Sequence, residues 1–270
     1  MPKRQALAHP QEPMPLPKPI RTRHPSCAVR LGKSDIADPR ECSHPLTGGS
    51  QSDIDRLIRK TVRRGDSVVE LGCAAGDNLA AIAAAVGPTG RVIAVDSSPD
   101  HINRLRSTAR LRAEKYISVF LSRGDSLPIE PSTVDVIFSQ GLVAPSGLRQ
   151  TVYREMLRVL KPGGVILVHD IVVHKLLPPE IADSVAAFSS GLAGAIEAAS
   201  YRHMLETLDL RDVSLTHCPS PELLEELLIP EAQNAAAHSL DSTLANLRSV
   251  LPDFISVVRI SARKCPAASD

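Results

Sequence analysis

The 270-residue sequence contains no tryptophan, and aromatic residues make up only 3% of it. Base-stacking platforms for single-stranded nucleic acid depend on aromatic rings, so their scarcity argues against that class of protein. No apolar run reaches the roughly 18 residues that a membrane span needs. No apolar stretch follows Lys3 and Arg4 to make a secretory signal. We therefore expect neither a nucleic-acid partner nor a membrane partner.

A strong charge of either sign is also missing. The 31 Lys and Arg residues nearly balance the 30 Asp and Glu residues, which leaves a formal net charge of +1. The five cysteines, Cys27, Cys42, Cys73, Cys218 and Cys265, are odd in number and lack CxxC spacing. This pattern disfavours a disulfide framework or a structural zinc site and favours reduced thiols in a cytoplasmic protein. We expect no bound metal.

The chain divides into two regions of different composition. Residues 1–45 carry frequent prolines and basic residues, with too little apolar periodicity for a core element. That composition predicts a flexible, proline-rich arm, with a substrate-covering lid as the alternative. Residues 46–270 are long enough to bury a substantial core, and we expect them to form one domain.

Short apolar runs alternate with amphipathic stretches after residue 52. The pattern predicts strands at 66–71, 91–96, 117–122, 134–139, 164–170, 212–217 and 254–264. Helices between the early strands imply parallel βαβ units. We therefore predict an α/β fold with a doubly wound, Rossmann-like, seven-stranded sheet that is mostly parallel and ends in an antiparallel edge. Helical stretches at 176–207 and 221–250 would form a cap.

The stretch VVELGCAAGD, residues 68–77, turns through two glycines at the end of the first predicted strand. Gly72 and Gly76 let the backbone approach a ligand closely, and ligands of open α/β sheets bind outside the carboxyl ends of the strands. A dinucleotide would require GxGxxG, but Ala74 and Asp77 stand at its second and third glycines. Asp77 would also repel a pyrophosphate at the helix N-terminus.

Carboxylates at the ends of successive elements favour a cationic ligand instead. Glu70 and Asp77 flank the glycine turn, Asp96 ends the second strand, and Asp125 follows the third. S-adenosylmethionine carries a sulfonium and an ammonium group, which such carboxylates attract. Asp96 can accept hydrogen bonds from both ribose hydroxyls, and Asp125 is placed to meet the adenine edge. Each acid alone could be a helix cap or a turn residue, but the four together predict S-adenosylmethionine.

Five ordered motifs resemble those of class I S-adenosylmethionine-dependent methyltransferases: VVELGCAAG, VIAVDSSPDHI, SRGDSLPI, VDVIFSQGLV and REMLRVLKPGGVILVHDIV. The resemblance covers about residues 52–175. It assigns these residues to the cofactor: Glu70, Gly72, Cys73, Ala74, Gly76, Asp77 and Asn78 near the methionine part, Asp96 and Ser97 at the ribose, Asp125 and Ser126 at the adenine, and Ser139 and Gln140 beneath. At Ala74 the family most often has glycine, so the turn is narrower here.

Residues 170–215 are similar to the arsenite methyltransferase family. In that family cysteine thiolates hold the metalloid, because soft thiolate ligands bind a soft metalloid well. Here the segment SGLAGA has Gly191 at the expected cysteine, and SQGL has Gly141 at another. We therefore expect this chain to share the fold of that family but not to methylate arsenite. Arsenite methylation remains the alternative and would depend on Cys27, Cys42 or Cys218.

His169 is the candidate catalytic residue. Methyl transfer needs alignment of the acceptor with the sulfonium methyl, and it needs a base only when the acceptor atom keeps a proton. His169 and Asp170 end the fifth strand, where the acceptor should lie, and histidine titrates near neutrality. A histidine that only shapes the pocket is the alternative, and His174 and His44 are the other candidate bases.

The function that these residues predict is methylation of a small molecule at O, N or C. Gln140 and Gly141 would form one wall of the acceptor pocket, and residues 188–194 its lid. The alternative from another class is a regulatory protein that binds S-adenosylmethionine without transferring its methyl group. The acceptor and the oligomeric state do not follow from the sequence.

Overall fold

The computed structural model describes residues 51–74, 76–112, 116–140, 146–176, 179, 194–218 and 253–266. The predicted arm (1–45) and the predicted cap helix (221–250) lie outside the described residues, as does most of the predicted cap between 177 and 193. In the described part of the chain, no helix is both long and apolar enough to cross a membrane.

Helices and strands alternate along the first two thirds of the chain. The described helices are α1 (Gln51–Thr61), α2 (Leu79–Val86), α3 (Pro99–Arg112), α4 (Ser146–Val159) and α5 (Ala198–Glu206). The described strands are β1 (Ser67–Leu71), β2 (Arg91–Asp96), β3 (Ile117–Leu121), β4 (Val134–Gln140), β5 (Leu160–Val173), β6 (Ile196–Glu197), β7 (Leu210–Cys218) and β8 (Ile255–Lys264).

The strands form one sheet in the order β3-β2-β1-β4-β5-β8-β7, with β6 paired to the end of β5. Strand β8 is antiparallel to both of its neighbours, and the other pairs are parallel. The predicted doubly wound sheet with a late antiparallel edge is confirmed. Strand order reverses between β1 and β4, which is the point where open α/β sheets bind ligands.

Both faces of the sheet are buried, because successive strand residues point to opposite sides and both sides are apolar. We call the side covered by α1, α2 and α3 the α2 face; its strand residues include Val68, Val92, Ala94, Val136, Phe138 and Leu167. The opposite side, the α4 face, packs against α4 and α5; its strand residues include Val69, Leu71, Ile93, Ile137, Val168 and Val258. Each functional side chain at the edge can therefore be assigned to one face by its register.

Strand β5 differs from its prediction. The KPGG motif was expected to separate α4 from a strand at 164–170, but β5 begins at Leu160, directly after α4, and includes the motif. Gly163 adopts a φ of +79°, and the β4–β5 register shifts between Val134 and Val136. A strand irregularity with glycine in the left-handed region looks like a turn in the sequence. The two-residue strand β6 was not predicted, because it is too short for a period-two pattern.

The expectation that the cysteines are reduced thiols holds for Cys73 and not for Cys265. Cys73 is a buried free thiol. Cys265 is buried and disulfide-bonded, so the prediction of reduced thiols is wrong there. Disulfide formation depends on two cysteines being brought within bonding geometry by the fold, and cysteine spacing in the sequence does not reveal this.

Candidate active site

The glycine turn after β1 is shaped by backbone hydrogen bonds. The amides of Gly72 and Cys73 donate to the carbonyl of Val95, at 2.8 and 3.2 Å, so the turn is tied to β2. Gly72, Ala74 and Gly76 have φ of +77°, +41° and +83°, in the left-handed region. That conformation costs Ala74 about 1–2 kcal/mol, which is the physical consequence of its departure from glycine.

Gly76 is required by packing as well as by its backbone conformation. A Cβ at this position would collide with the side chain of Leu105 in α3 and lie 3.0 Å from Leu79 in α2. The turn can therefore lie tightly between the two helices. This leaves its backbone close to the edge of the sheet, where a ligand would approach.

Glu70 has an unused hydrogen-bonding position on a buried carboxyl group. Its side chain lies on the α2 face and the residue is 2% exposed; Oε1 accepts a hydrogen bond from Asn78 Nδ2 at 2.9 Å. Oε2 is buried and has no hydrogen-bond partner. Burial raises the pKa of Glu70 to about 8, and the Asp77 and Asp96 carboxylates contribute to the rise. An orphaned buried oxygen is costly, so this site fits a ligand that brings a positively charged donor.

Asp96 connects the glycine turn to helix α3. Its Oδ2 accepts a hydrogen bond from the Ala74 amide at 2.8 Å, and its Oδ1 accepts one from the Ser98 amide at 2.8 Å. His101 Nδ1 lies 3.3 Å from Oδ1. A carboxylate oxygen has two acceptor positions, so Oδ2 retains capacity for a ribose hydroxyl. His101 was missed by the sequence analysis; its place in the first turn of α3, beside a strand-ending acid, is the signal that could have found it.

The loop that carries Asp125 packs against the end of β1. Ser122 Oγ donates to the Ser126 carbonyl at 2.7 Å and accepts from the Gly124 amide at 3.2 Å, which closes the loop on itself. A Cβ at Gly124 would lie 3.4 Å from the methyl groups of Leu71. The loop therefore lies next to the end of β1, where Asp125 is half-buried and Ser126 is exposed.

Ser139 is engaged in the fold rather than open to a ligand. It is fully buried on the α4 face, and its Oγ donates to the Leu71 carbonyl at 2.8 Å. This bond joins the ends of β1 and β4 beneath the glycine turn. Ser97 is exposed at the edge, and Gln140 pairs in register with His169; the Gln140 side chain lies outside the described part.

His169 lies on the α2 face, like Glu70 and Asp96, and pairs with Gln140 at the end of β4. The prediction that His169 and Asp170 end the fifth strand is wrong, because β5 continues to Val173. The residue is 6% exposed, its Nδ1 has no hydrogen-bond partner, and its ring meets Phe138 edge-on at 6.2 Å. Burial lowers the pKa of His169 to about 4, and the charge of Arg259 contributes. The premise that His169 titrates near neutrality is therefore wrong, while its role in catalysis stays a prediction.

Asp170 belongs to a buried network on the opposite face. Its Oδ2 accepts hydrogen bonds from Tyr201 Oη at 2.9 Å and from Arg149 Nε at 3.4 Å. Arg149 Nη1 also donates to the Gly194 carbonyl at 2.8 Å, and the Tyr153 and Tyr201 hydroxyls lie 2.9 Å apart. These groups join α4, β5 and α5, so Asp170 supports the fold within β5 and does not face the cofactor side.

The other candidate bases do not join this site. His174 Nε2 and His217 Nδ1 both lie against Ser256 Oγ, at 2.9 and 3.0 Å, on the α4 face. His44 lies outside the described residues, and so do Gly141 and residues 188–193 of the predicted pocket wall and lid.

The family of methyltransferase domains matches residues 63–209, more than half of the chain. The chain belongs to this methyltransferase family. The matched segment runs from the residues before β1 to the end of α5, so it contains every residue predicted to bind the cofactor. The predictions of a class I methyltransferase fold and of S-adenosylmethionine as its cofactor are confirmed.

Two relatives show which proteins this chain is similar to. It is 28% identical over 151 residues to an arsenite methyltransferase of Halobacterium salinarum, a match that covers 56% of this chain and 39% of that protein. It is 30% identical over 155 residues to a ubiquinone/menaquinone biosynthesis C-methyltransferase of Salmonella arizonae, covering 54% and 61%. The matches thus span less than two thirds of either relative.

A solved structure shows the same fold. The crystal structure of a [4+2]-cyclase superposes with a TM-score of 0.62 over 80% of this chain and 82% of that one, at 17% sequence identity. The similarity establishes the architecture of the chain and leaves the reaction to be argued from the site.

The glycine turn and its acids fit S-adenosylmethionine. The buried Oε2 of Glu70 lacks the donor that a ligand ammonium would supply, and Asp96 stands where a ribose would meet the end of β2. Cys73, between them, is a buried thiol whose pKa is raised by burial and by the two carboxylates. It stays protonated near neutral pH and lines the turn as an apolar group.

Proposed function

We propose that this protein transfers the methyl group of S-adenosylmethionine to an O, N or C atom of a small molecule. The observation that carries the proposal is the edge of the sheet on the α2 face. There a buried carboxyl with an open oxygen, Glu70, lies beside a glycine turn, and a buried imidazole with an open nitrogen, His169, lies two strands away.

The residues of the chain have separate tasks in this scheme. Glu70 would bind the ammonium of the cofactor, Asp96 the ribose hydroxyls, and Asp125 the adenine edge. The cofactor supplies an electrophilic methyl on a sulfonium. Neighbouring strands lie about 4.8 Å apart, so His169 on β5 is about 10 Å from the glycine turn on β1. It would contact the acceptor rather than the cofactor carboxylate, and alignment of the two reactants is the main catalytic contribution.

Formation of S-adenosylhomocysteine tests the proposal. Purified protein with S-adenosylmethionine labelled in the methyl group is incubated with fractionated metabolites, and labelled product is sought in each fraction. We expect label in a small-molecule fraction together with stoichiometric S-adenosylhomocysteine. Binding of the cofactor without label transfer in any fraction would instead support the regulatory alternative.

Arsenite methylation is a second candidate, favoured by the similarity to the arsenite methyltransferase of Halobacterium salinarum. Thiolates would have to hold the metalloid. Cys73 remains protonated in its buried position, and Gly141 and Gly191 stand where the resemblance expects cysteines. We therefore rank an organic acceptor above arsenite.

The proposal includes two further points. The first is that the acceptor is a small molecule and not a nucleic acid, and the second is that the protein is cytoplasmic. The near-neutral net charge and the 3% aromatic content support the first. The disulfide at Cys265 counts against the second, because cytoplasmic thiols are kept reduced. Cell fractionation decides the location.

A further inference from the structure

One row of residues crosses the sheet from β2 to β8 at the level where β1, β2 and β4 end. Leu71 at the end of β1 pairs with Val95 and Ser139, so the next residues, Asp96 on β2, Gly72 after β1 and Gln140 on β4, follow at one level. Gln140 pairs with His169 on β5, and His169 pairs with Arg259 on β8. Asp96 supplies the negative charge at the β2–β1 end of this row. Glu70, two residues before Gly72, adds to it when a bound cation favours the ionised carboxyl. A guanidinium occupies the β8 end, so charge changes from negative to positive across the edge.

Arg259 is not committed to another partner. In the part of the chain that the structure describes, it has no hydrogen bond and no ion pair, although it is half-buried. Its cross-strand neighbours are His169 and Thr216, which carry no negative charge. Directly opposed residues of antiparallel strands share a face, with Cβ atoms about 5 Å apart. Arg259 therefore lies on the α2 face opposite His169, close enough for its charge to act on the ring.

A half-buried arginine and a buried imidazole with an open nitrogen form a two-point recognition site. The guanidinium offers several donors to an anion, and the neutral imidazole offers one hydrogen-bonding position. The nearest acids of the row, at Glu70 and Asp96, are placed for the cationic cofactor at the other end. The buried Asp170 is on the opposite face and is already bonded to Arg149.

We infer that the methyl acceptor binds as an anion, with its negatively charged group held between His169 and Arg259. The inference rests on the proposed function and names its substrate class: small molecules with a carboxylate, phosphate or readily ionised hydroxyl. The acceptor loses its proton to solvent before or on binding. Its nucleophilic atom forms a bond to the methyl carbon while the carbon–sulfur bond breaks, and the electron pair stays on sulfur, which becomes a neutral thioether.

Transfer from a cation to an anion needs no strong base in the site. That agrees with the buried position of His169, which keeps the ring neutral at the pH of the reaction. It also gives a physical role to the separation of charges along the edge, because the two reactants are attracted to opposite ends and meet near β4 and β5.

The test uses two anionic probes and one neutral one on the full chain. Histidine-labelled protein is titrated with benzoate, inorganic phosphate and benzamide, and the His169 ring signals are followed by NMR. We compare wild type with Arg259→Gln, with Arg259→Lys, and with the control Arg263→Gln. Arg263 is exposed on the same strand and face but far from the edge, where it donates to the Gly163 carbonyl.

We expect at least one anion to shift the His169 signals, with affinity roughly 10- to 100-fold weaker in Arg259→Gln and largely kept in Arg259→Lys. Arg263→Gln should match wild type, and benzamide should bind weakly to all four proteins. Equal anion binding by wild type and Arg259→Gln, equal binding of benzamide and benzoate, or no anion effect in wild type would overturn the inference.

Cofactor calorimetry on the same variants separates this inference from the proposed function. Unchanged affinity for S-adenosylmethionine in Arg259→Gln shows that the variant is folded and that its loss concerns the acceptor side. If no variant and no wild-type protein binds the cofactor, the proposed function fails, whatever the anions do.

Discussion

The protonation state of the Glu70 carboxyl depends on whether a cation is bound beside it. Free protein keeps the carboxyl largely protonated at pH 7, because burial raises the pKa of Glu70 to about 8. A ligand ammonium beside Oε2 favours the ionised form, so binding lowers that pKa. The affinity for S-adenosylmethionine should therefore rise with pH up to about 8 and then level off.

The proton released by Glu70 is measurable. Calorimetric titrations at pH 7 in two buffers of different ionisation enthalpy should show net proton release when the cofactor binds. Glu70→Gln should bind more weakly and release fewer protons, while Glu130→Gln, an exposed site, should behave like wild type. Proton release that is identical in wild type and Glu70→Gln would show that the carboxyl does not meet the cation.

His169 gives a second prediction at this scale. Its ring is neutral throughout the physiological range because the pKa of His169 lies near 4, so its titration should leave kcat/KM flat between pH 6 and 8. His169→Ala should leave the affinity for S-adenosylmethionine nearly unchanged and raise KM for the acceptor more than it lowers kcat. A fall in kcat by a factor of about 10² to 10⁴ at constant KM would instead identify a general base.

The role of a single residue could be predicted when it followed from the residue's position in a predicted strand, turn or helix. Glu70 is next to last in the apolar strand β1, Asp96 ends β2, and Gly76 lies shortly before an apolar helix, so position alone suggested their tasks. His101 and Arg259 gave no such signal. Arg259 lies 90 residues beyond His169 in the sequence, and only the antiparallel insertion of β8 next to β5 brings the two together.

At the scale of elements, apolar runs were enough to locate most strands and helices. The start of β5 was not located, because a glycine in the left-handed region, Gly163, suggests a turn even when it lies within a strand. The pairing of α4, β5 and α5 was also hidden. It depends on contacts of Asp170 with Arg149 and Tyr201, which come from three separate segments.

The buried network between these elements predicts a stability effect. Tyr201→Phe removes one hydrogen bond to the buried Asp170 carboxyl and one to Tyr153, so the free energy of unfolding should fall by about 1–3 kcal/mol. Urea denaturation measures it. The half-buried Tyr116→Phe serves as control and should change stability less. Cofactor affinity should be kept in Tyr201→Phe; a selective loss of affinity without a loss of stability would mean that the network reaches the cofactor.

At the scale of the whole molecule, the fold and the cofactor could be predicted because both depend on ordered local motifs. The acceptor could not, because its pocket is formed by residues from distant strands and by segments outside the described residues. The arrangement of charges along the edge, negative at β2 and β1 and positive at β8, became visible only once the strand order was known.

A further prediction about the whole molecule concerns arsenite, which the protein should methylate poorly. Purified protein with S-adenosylmethionine, glutathione and arsenite should form little methylated arsenic, because glycines replace the expected cysteines and the Cys73 thiol stays protonated. Chromatography with elemental detection measures the products. If methylated arsenic does form efficiently, single serine replacements at Cys27, Cys42 and Cys218 should identify the ligands.

The most direct test of the central claim is calorimetric titration of the full chain with S-adenosylmethionine and, separately, with NAD. We expect S-adenosylmethionine to bind and NAD not to bind. Asp96→Ala should weaken that binding by roughly 1–3 kcal/mol, because charge-assisted hydrogen bonds to the ribose are lost. Asp100 is an exposed acid in the first turn of α3, and the control Asp100→Ala should leave the affinity for S-adenosylmethionine unchanged. Preferential binding of NAD, or equal affinity of wild type and Asp96→Ala for S-adenosylmethionine, would contradict the account.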